Sequence, residues 1–216
     1  MNNIYTTPTK ELQLRWEKIQ TSMKKTGAEA CFISTNINIY YTLGQIINGY
    51  VLLFQEGEPL VFIRRPIGIQ QENYFYIRKP EDIIDILKEK NIKLPQHILL
   101  ENDEISYNEY LRYEKIFQAK EINNASYLLR KVRSVKTDYE VQLLTESARL
   151  QTLSYAKIPS LFKTNMTDHE LTVEIEKEAR LLGNLGVFRI YGQSMEAFMG
   201  SVLSGENAGA ASPYDF

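Results

Sequence analysis

The hydrophobic pattern of this chain changes character once, near Asn123, and that change limits the fold more than any other feature. Before it, short runs rich in β-branched and aromatic residues alternate with stretches of helical spacing: Ala30 to Ser34, Tyr50 to Phe54, Leu60 to Arg64, Tyr74 to Ile77 and Ile98 to Leu100. That is the pattern of a sheet covered by helices. After it come two long helical patterns, opened by Thr137 with Glu140 and by Thr167 with Glu170. In such a capping box two free N–H groups are paired reciprocally with side-chain acceptors. The sequence predicts an α/β domain over 1–123, a linker over 124–136 and a second unit over 137–216.

The local signals fill in this outline. Thr7 can cap a first helix, Pro8 suits its first turn, and Leu12, Trp16, Ile19 and Met23 recur at helical spacing until Gly27. Glu56-Gly57-Glu58-Pro59 reads as a hairpin turn. A helix opens near Pro80 with Ile83, Ile84 and Leu87, and Ser106 with Glu109 opens another. Tyr127 to Val132 reads as a short linking helix. The helix after Thr137 carries Val141, Leu144, Ala148 and Tyr155 and is expected to stop near Pro159. The next carries Leu171, Ile175, Ala179 and Leu182 and is expected to stop at Gly183.

With 216 residues, 44% hydrophobic and 24% charged at a formal net charge of -2, the chain has the composition of an ordinary globular protein. The basic pairs Lys24-Lys25 and Arg130-Lys131 are short, as on solvated helix faces, so no nucleic-acid partner is expected. The single cysteine, Cys31, excludes an intramolecular disulfide and suits a reducing compartment. Its apolar neighbours predict a buried, inert thiol. The amino terminus lacks the marks of a signal peptide and no run reaches the roughly 20 apolar residues of a membrane span, which points to a cytoplasmic protein without a membrane partner.

Several segments, in order, resemble the creatinase/prolidase/aminopeptidase P family. Asn36-Ile37-Asn38-Ile39-Tyr40-Tyr41-Thr42-Leu43-Gly44 is similar to the Asn-Ile-x-Tyr-Leu-Thr-Gly segment of its amino-terminal domain, with Thr and Leu exchanged. Leu129-Arg130-Lys131-Val132-Arg133-Ser134-Val135-Lys136, followed by Asp138-Tyr139-Glu140, resembles its linker and first helix. Thr164 to Leu171 is similar to the turn into its second long helix. Gly186-Val187-Phe188 and Val202 to Ala210 resemble its first strands, where Ser-Gly-x-Asn-Ala is typical. The resemblance implies a creatinase-like amino-terminal domain, with a mixed sheet and flanking helices, followed by the first part of an α+β pita-bread domain.

It also implies an activity. Family members hydrolyse Xaa-Pro bonds in short proline-containing peptides with two divalent ions (Mn, Co or Zn) held by two Asp, one His and two Glu, and they are often homodimers. None of those ligand positions falls within this sequence. The resemblance therefore implies a fragment of a metallopeptidase, a lid and oligomer-contact region with no catalytic residues and no metal ligands of its own. Where the family places a Pro-His pair, this sequence has Pro213-Tyr214, so Tyr214 is the candidate substrate-binding residue. A phenol donates a hydrogen bond, yet with an unperturbed pKa of about 10 it carries protons poorly near neutrality. The substitution leaves open a non-catalytic binding or assembly protein of this fold, or a metal-free creatinase-type amidinohydrolase.

Other candidate chemistry reads as structural. His169-Glu170-Leu171-Thr172-Val173 starts like a zinc-peptidase helix, but Val173 stands where the second imidazole belongs. His169 is then a solvent-facing residue of a first turn, and His97 a satisfied edge residue at the start of an apolar strand. Glu101, Asp103 and Glu104 follow a strand's carboxyl end, where oxygen ligands for a hard cation can gather, but a solvated turn before the Ser106 helix is the preferred reading. The glycines form no phosphate-binding loop, and the 14 tyrosines read as core and hairpin residues.

Overall fold

The computed structural model describes residues 7–189, 196–198, 200 and 202–209. The chain divides into two compact units, Met1–Lys136 and Thr137–Phe216.

In the first unit, strands β1 (Ala30–Ile33), β2 (Asn48–Phe54), β3 (Leu60–Arg65), β4 (Tyr74–Tyr76), β5 (His97–Leu100) and β6 (Glu121–Asn124) form one sheet, ordered β4-β3-β2-β1-β5-β6. The pairs β1·β2 and β2·β3 are antiparallel, whereas β1·β5, β5·β6 and β3·β4 are parallel. Helices α1 (Thr9–Thr26), α2 (Asn36–Leu43), α3 (Asp82–Glu89), α4 (Tyr107–Phe117) and α5 (Ser126–Ser134) cover both faces.

Alternation along the strands sorts the core into two layers. Cys31 and Ile33 of β1 join Ile19 and Met23 of α1, Ile39 of α2 and Leu129 and Val132 of α5. Ala30 and Phe32 point the other way, toward Ile83 and Leu87 of α3 and Tyr113, Ile116 and Phe117 of α4. Because both faces are covered, the central strands are apolar throughout rather than alternating, and each fully buried Ile, Leu or Phe contributes about 1.5–3 kcal/mol. Phe32 sits at the centre of the second layer, 5.0 Å from the Tyr113 and Phe117 rings and 5.1 Å from that of Tyr50.

The five expected strands form, as do the hairpin turn at Gly57 and the capping box at Ser106. Other local details are as follows. Helix α1 begins at Thr9, with Pro8 in extended conformation as its first flanking residue and no side-chain cap. Thr7 is instead buried against Gly44, where a Cβ would lie 2.7 Å from that of Thr7. Helix α2 occupies the β-branched and aromatic run Asn36 to Leu43, and β6 forms from Glu-Ile-Asn-Asn, which has little strand propensity. The short linking helix expected over Tyr127 to Val132 forms as α5 and gives the core Leu129 and Val132.

The second unit contains α6 (Asp138–Leu161), α7 (Asp168–Leu181), the antiparallel pair β7 (Val187–Arg189) and β8 (Glu196–Phe198), and a 3₁₀ turn at Gly205–Gly209. Both expected capping boxes are made. Helix α6 stops near Pro159 as expected, carrying the proline in its last turn with two residues after it, where only one helical hydrogen bond is forfeited. Gly205–Gly209 turns where a strand was expected, and Ala210 lies outside the described residues. Of α6 only Ser154 is buried, while Val141, Leu144 and Tyr155, expected on its packed face, are exposed. No helix among the described residues is long and apolar enough to cross a membrane.

Candidate functional site

The parallel strands β1 and β5 end side by side, so Ser34 and Glu101 emerge together. Glu101 is 1% exposed. Its Oε2 accepts hydrogen bonds from Ser34 N at 2.5 Å, Thr35 N at 2.9 Å and Ser34 Oγ at 3.1 Å. Its Oε1 accepts from Thr35 Oγ1 at 2.5 Å and Asn38 Nδ2 at 2.6 Å. Five donors occupy the roughly four lone-pair positions of a carboxylate, so none remains for a cation or for proton transfer.

This carboxylate explains why a strand-like sequence folds as α2. It gathers the N–H groups of Ser34 and Thr35 just ahead of the helix, at the end whose dipole favours negative charge. Farther along, Thr42 Oγ1 donates to the Asn38 carbonyl at 2.8 Å, Trp16 Nε1 to the Thr42 carbonyl at 2.7 Å, and Arg15 Nη1 to the Tyr41 carbonyl at 3.1 Å. Arg15 also holds Glu11 at 2.7 Å and lies over the Tyr41 ring, 4.8 Å from its centroid. Helix α1 thus binds the last turn of α2 and Glu101 the first.

The amide of Asn38 joins this network to α5, because its Oδ1 accepts from Arg133 Nη1 at 3.0 Å. Two of the segments that carry the sequence resemblance, Asn36 to Gly44 and Leu129 to Lys136, therefore meet in space. Asp103, next to the network, accepts from Asn124 Nδ2 at 2.5 Å and Arg130 Nη2 at 2.9 Å. Glu104 is exposed, and its N–H donates to the Glu101 carbonyl at 2.9 Å. The cation-site alternative for Glu101, Asp103 and Glu104 is thereby corrected: two of the three acids already have hydrogen-bonding partners.

His97 and His169 fall in separate units. Nε2 of His97 is 3.0 Å from Asn123 Nδ2, and its strand is interior rather than at the sheet edge. His169 is exposed in the first turn of α7. Cys31 is fully buried, and its thiol is pushed well above its ordinary pKa by burial and then by the charge of Glu101. Among the described residues no group of three or more His, Cys, Asp and Glu side chains could hold a metal ion, so the residues present do not fit a two-metal centre. In the second unit a cavity of about 250 Å³ opens beside Ser154, Ile158, Thr172, Ile175 and Glu176, with one carboxylate and no acid–base pair. Tyr214 lies outside the described residues.

Comparison with known proteins agrees with this architecture. The Creatinase/Prolidase N-terminal domain family matches residues 15–135. The putative dipeptidase YkvY of Bacillus subtilis (strain 168) is 26% identical over 211 residues, 90% of this chain and 55% of the relative. The Xaa-Pro dipeptidase from Bacillus anthracis has a TM-score of 0.67 at 16% identity, over 90% of this chain and 58% of that one. The prolidase from Pyrococcus horikoshii OT3 has a TM-score of 0.62 at 16% identity, over 81% and 52%. At such identities the structures share the fold, and the chain spans about half the length of the relatives it matches.

Proposed function

Because this chain belongs to the Creatinase/Prolidase N-terminal domain family, we propose that it is the non-catalytic amino-terminal part of an Xaa-Pro-type peptidase. It acts as lid and oligomer-contact region, and the peptide bond is cleaved by groups outside the described residues. The observation that carries this reading is the match to a putative dipeptidase along nearly the whole of this chain and only 55% of the relative. The structural observation that supports it is the network around Glu101. At the strand ends where an α/β fold commonly places its chemistry, the side chains of Glu101 and Asp103 are engaged in holding α2 and α5.

The proposed substrates of the intact enzyme are short proline-containing peptides, and its proposed state is a cytoplasmic homodimer with two divalent ions. A two-metal centre needs several converging carboxylates and imidazoles to offset the loss of metal hydration, and the described residues assemble none. Tyr214 stays the proposed substrate-binding hydrogen-bond donor. Calorimetric titration of the chain with manganese, cobalt and zinc, paired with a proline-release assay on Xaa-Pro dipeptides, tests the reading. The expected outcome is neither binding at two-metal stoichiometry nor turnover. Metal-dependent release of proline by this chain alone would overturn it.

A further inference from the structure

We infer that Glu101, Asn38 and Arg133 form a relay in which a buried carboxylate controls whether the end of α5 is held against the first unit. The argument rests on the polarity of one amide. Glu101 accepts at both oxygens, so the group of Asn38 that faces it must be the NH₂. That choice turns Oδ1 outward, where it accepts from the Arg133 guanidinium. Were the amide reversed, its NH₂ would face the N–H of Arg133 Nη1, donor against donor, and Arg133 would lose this acceptor. Glu101 therefore acts on Arg133 without touching it, through the orientation of Asn38.

What Arg133 holds is the place where the chain leaves the unit. The start of α5 is tied independently: Ala125 N donates to the Leu100 carbonyl at 2.7 Å, Asp103 N to Ser126 Oγ at 3.2 Å, and Arg130 pairs with Asp103. Its apolar face ends with Val132. Beyond Val132 the segment is tied to the rest of the unit by Arg133 on Asn38 and by Lys18 Nζ on the Val135 carbonyl at 3.1 Å, while the bond of Lys136 to the Arg133 carbonyl lies within the segment itself. These are polar contacts at a helix end, the kind of structure that opens locally while a core stays closed.

Replacing Glu101 by Gln reverses the relay in a definite way. The Gln NH₂ cannot sit at the Oε2 position, because the backbone N–H groups of Ser34 and Thr35 there cannot become acceptors. It must sit at the Oε1 position, where the Thr35 hydroxyl can rotate to accept and the Asn38 amide can flip to accept. The flipped amide then presents its NH₂ to Arg133, so the remote end of the relay opens.

Hydrogen exchange of the full chain, read by mass spectrometry, tests this with two variants. Arg133→Ala should speed exchange of the amides of residues 132–137 roughly ten- to hundredfold, the loss expected for a charged hydrogen bond, while Cys31, Phe32 and Leu99 keep their rates. Glu101→Gln should speed the same segment even though residue 101 does not contact it. Unchanged rates over 132–137 in Arg133→Ala, or uniform acceleration across the unit, would overturn the holding role. In Glu101→Gln, acceleration confined to residues 34–38 would overturn the relay. If Glu101→Gln does not fold, Asn38→Asp takes its place: it keeps an acceptor for Arg133 but sets a second carboxylate against Glu101. The relay then predicts faster exchange over residues 34–38 with 132–137 held, and release of both segments would overturn it.

Discussion

Adding one methyl group at Gly49 should damage the first unit more than a glycine replacement elsewhere in its turns. Strand β2 shifts register against β3 between Asn48 and Gly49, and there the backbones approach so closely that a Cβ on residue 49 would lie 2.1 Å from the Phe62 carbonyl oxygen and 3.1 Å from Ile63 Cα. The first distance falls 0.9 Å short of the 3.0 Å that real Cβ atoms keep. The obstacle is backbone, so no rotamer relieves it. Either β3 moves away, weakening the pairs Gly49↔Ile63 and Tyr50↔Phe62, or β2 twists and displaces Tyr50 from its stack on Phe32.

Forced overpacking costs about 1–3 kcal/mol and each weakened ladder bond about 0.5–1.5 kcal/mol, so Gly49→Ala should lose about 2–4 kcal/mol. Gly57→Ala is the control. Its φ is +83° and nothing lies within 4 Å of the added Cβ, leaving only left-handed strain of about 1–2 kcal/mol. Urea unfolding followed by fluorescence of Trp16, the chain's one tryptophan, reports on this unit because its indole is bonded to the Thr42 carbonyl. If Gly49→Ala is no less stable than Gly57→Ala, the argument from close approach is wrong.

Three further outcomes are expected. Arg112 holds Glu81 through two hydrogen bonds at 2.7 and 2.8 Å, lowering the carboxyl pKa to about 2. A depressed folded-state pKa stabilises above the unfolded value near 4.5, and that stability disappears as pH falls toward 2. With both side chains over 40% exposed the pair contributes only about 0.2–1 kcal/mol, so the stability gap between wild type and Arg112→Ala should close between pH 6 and pH 2 and shrink in high salt. Cys31 should resist thiol-reactive dyes in the folded chain and react fully in urea; rapid labelling without denaturant would contradict its burial. Thr137→Ala, which removes the side-chain oxygen that accepts the Glu140 N–H, should cost about 1 kcal/mol of α6 stability, measurable by circular dichroism on thermal unfolding.

The parts of the fold that could be read from the sequence are those set by local chemistry. The runs Tyr50 to Phe54 and Leu60 to Arg64 formed strands because β-branched and aromatic side chains suit a pleated surface. The capping boxes at Ser106, Thr137 and Thr167 formed because their bonds close within four residues. The parts that local signals left unassigned depend on distant partners. Asn36 to Leu43 is rich in β-branched and aromatic residues, yet it is helical because a carboxylate 66 to 67 residues away gathers the N–H groups ahead of its first turn. β6 exists because β5 offers it an edge, and α5 is packed because Leu129 and Val132 meet α1 across the sheet face.

The network itself shows why a functional cluster and a structural one can look alike in sequence. Glu101, Asp103 and Glu104 follow a strand end, as metal-binding acids often do, and nothing within that stretch tells which acid turns inward. The deciding residues, Ser34, Thr35 and Asn38, sit where a different strand ends, brought there by the parallel pairing of β1 with β5. A buried carboxylate is tolerable only when its lone pairs are taken, and once they are taken it has nothing left to offer a metal or a substrate. The same saturation that removes Glu101 from catalysis fixes the orientation of Asn38 and, through it, the partner of Arg133. The acids at these strand ends thus serve the fold: Glu101 holds the start of α2, and Asp103 pairs with Arg130 of α5.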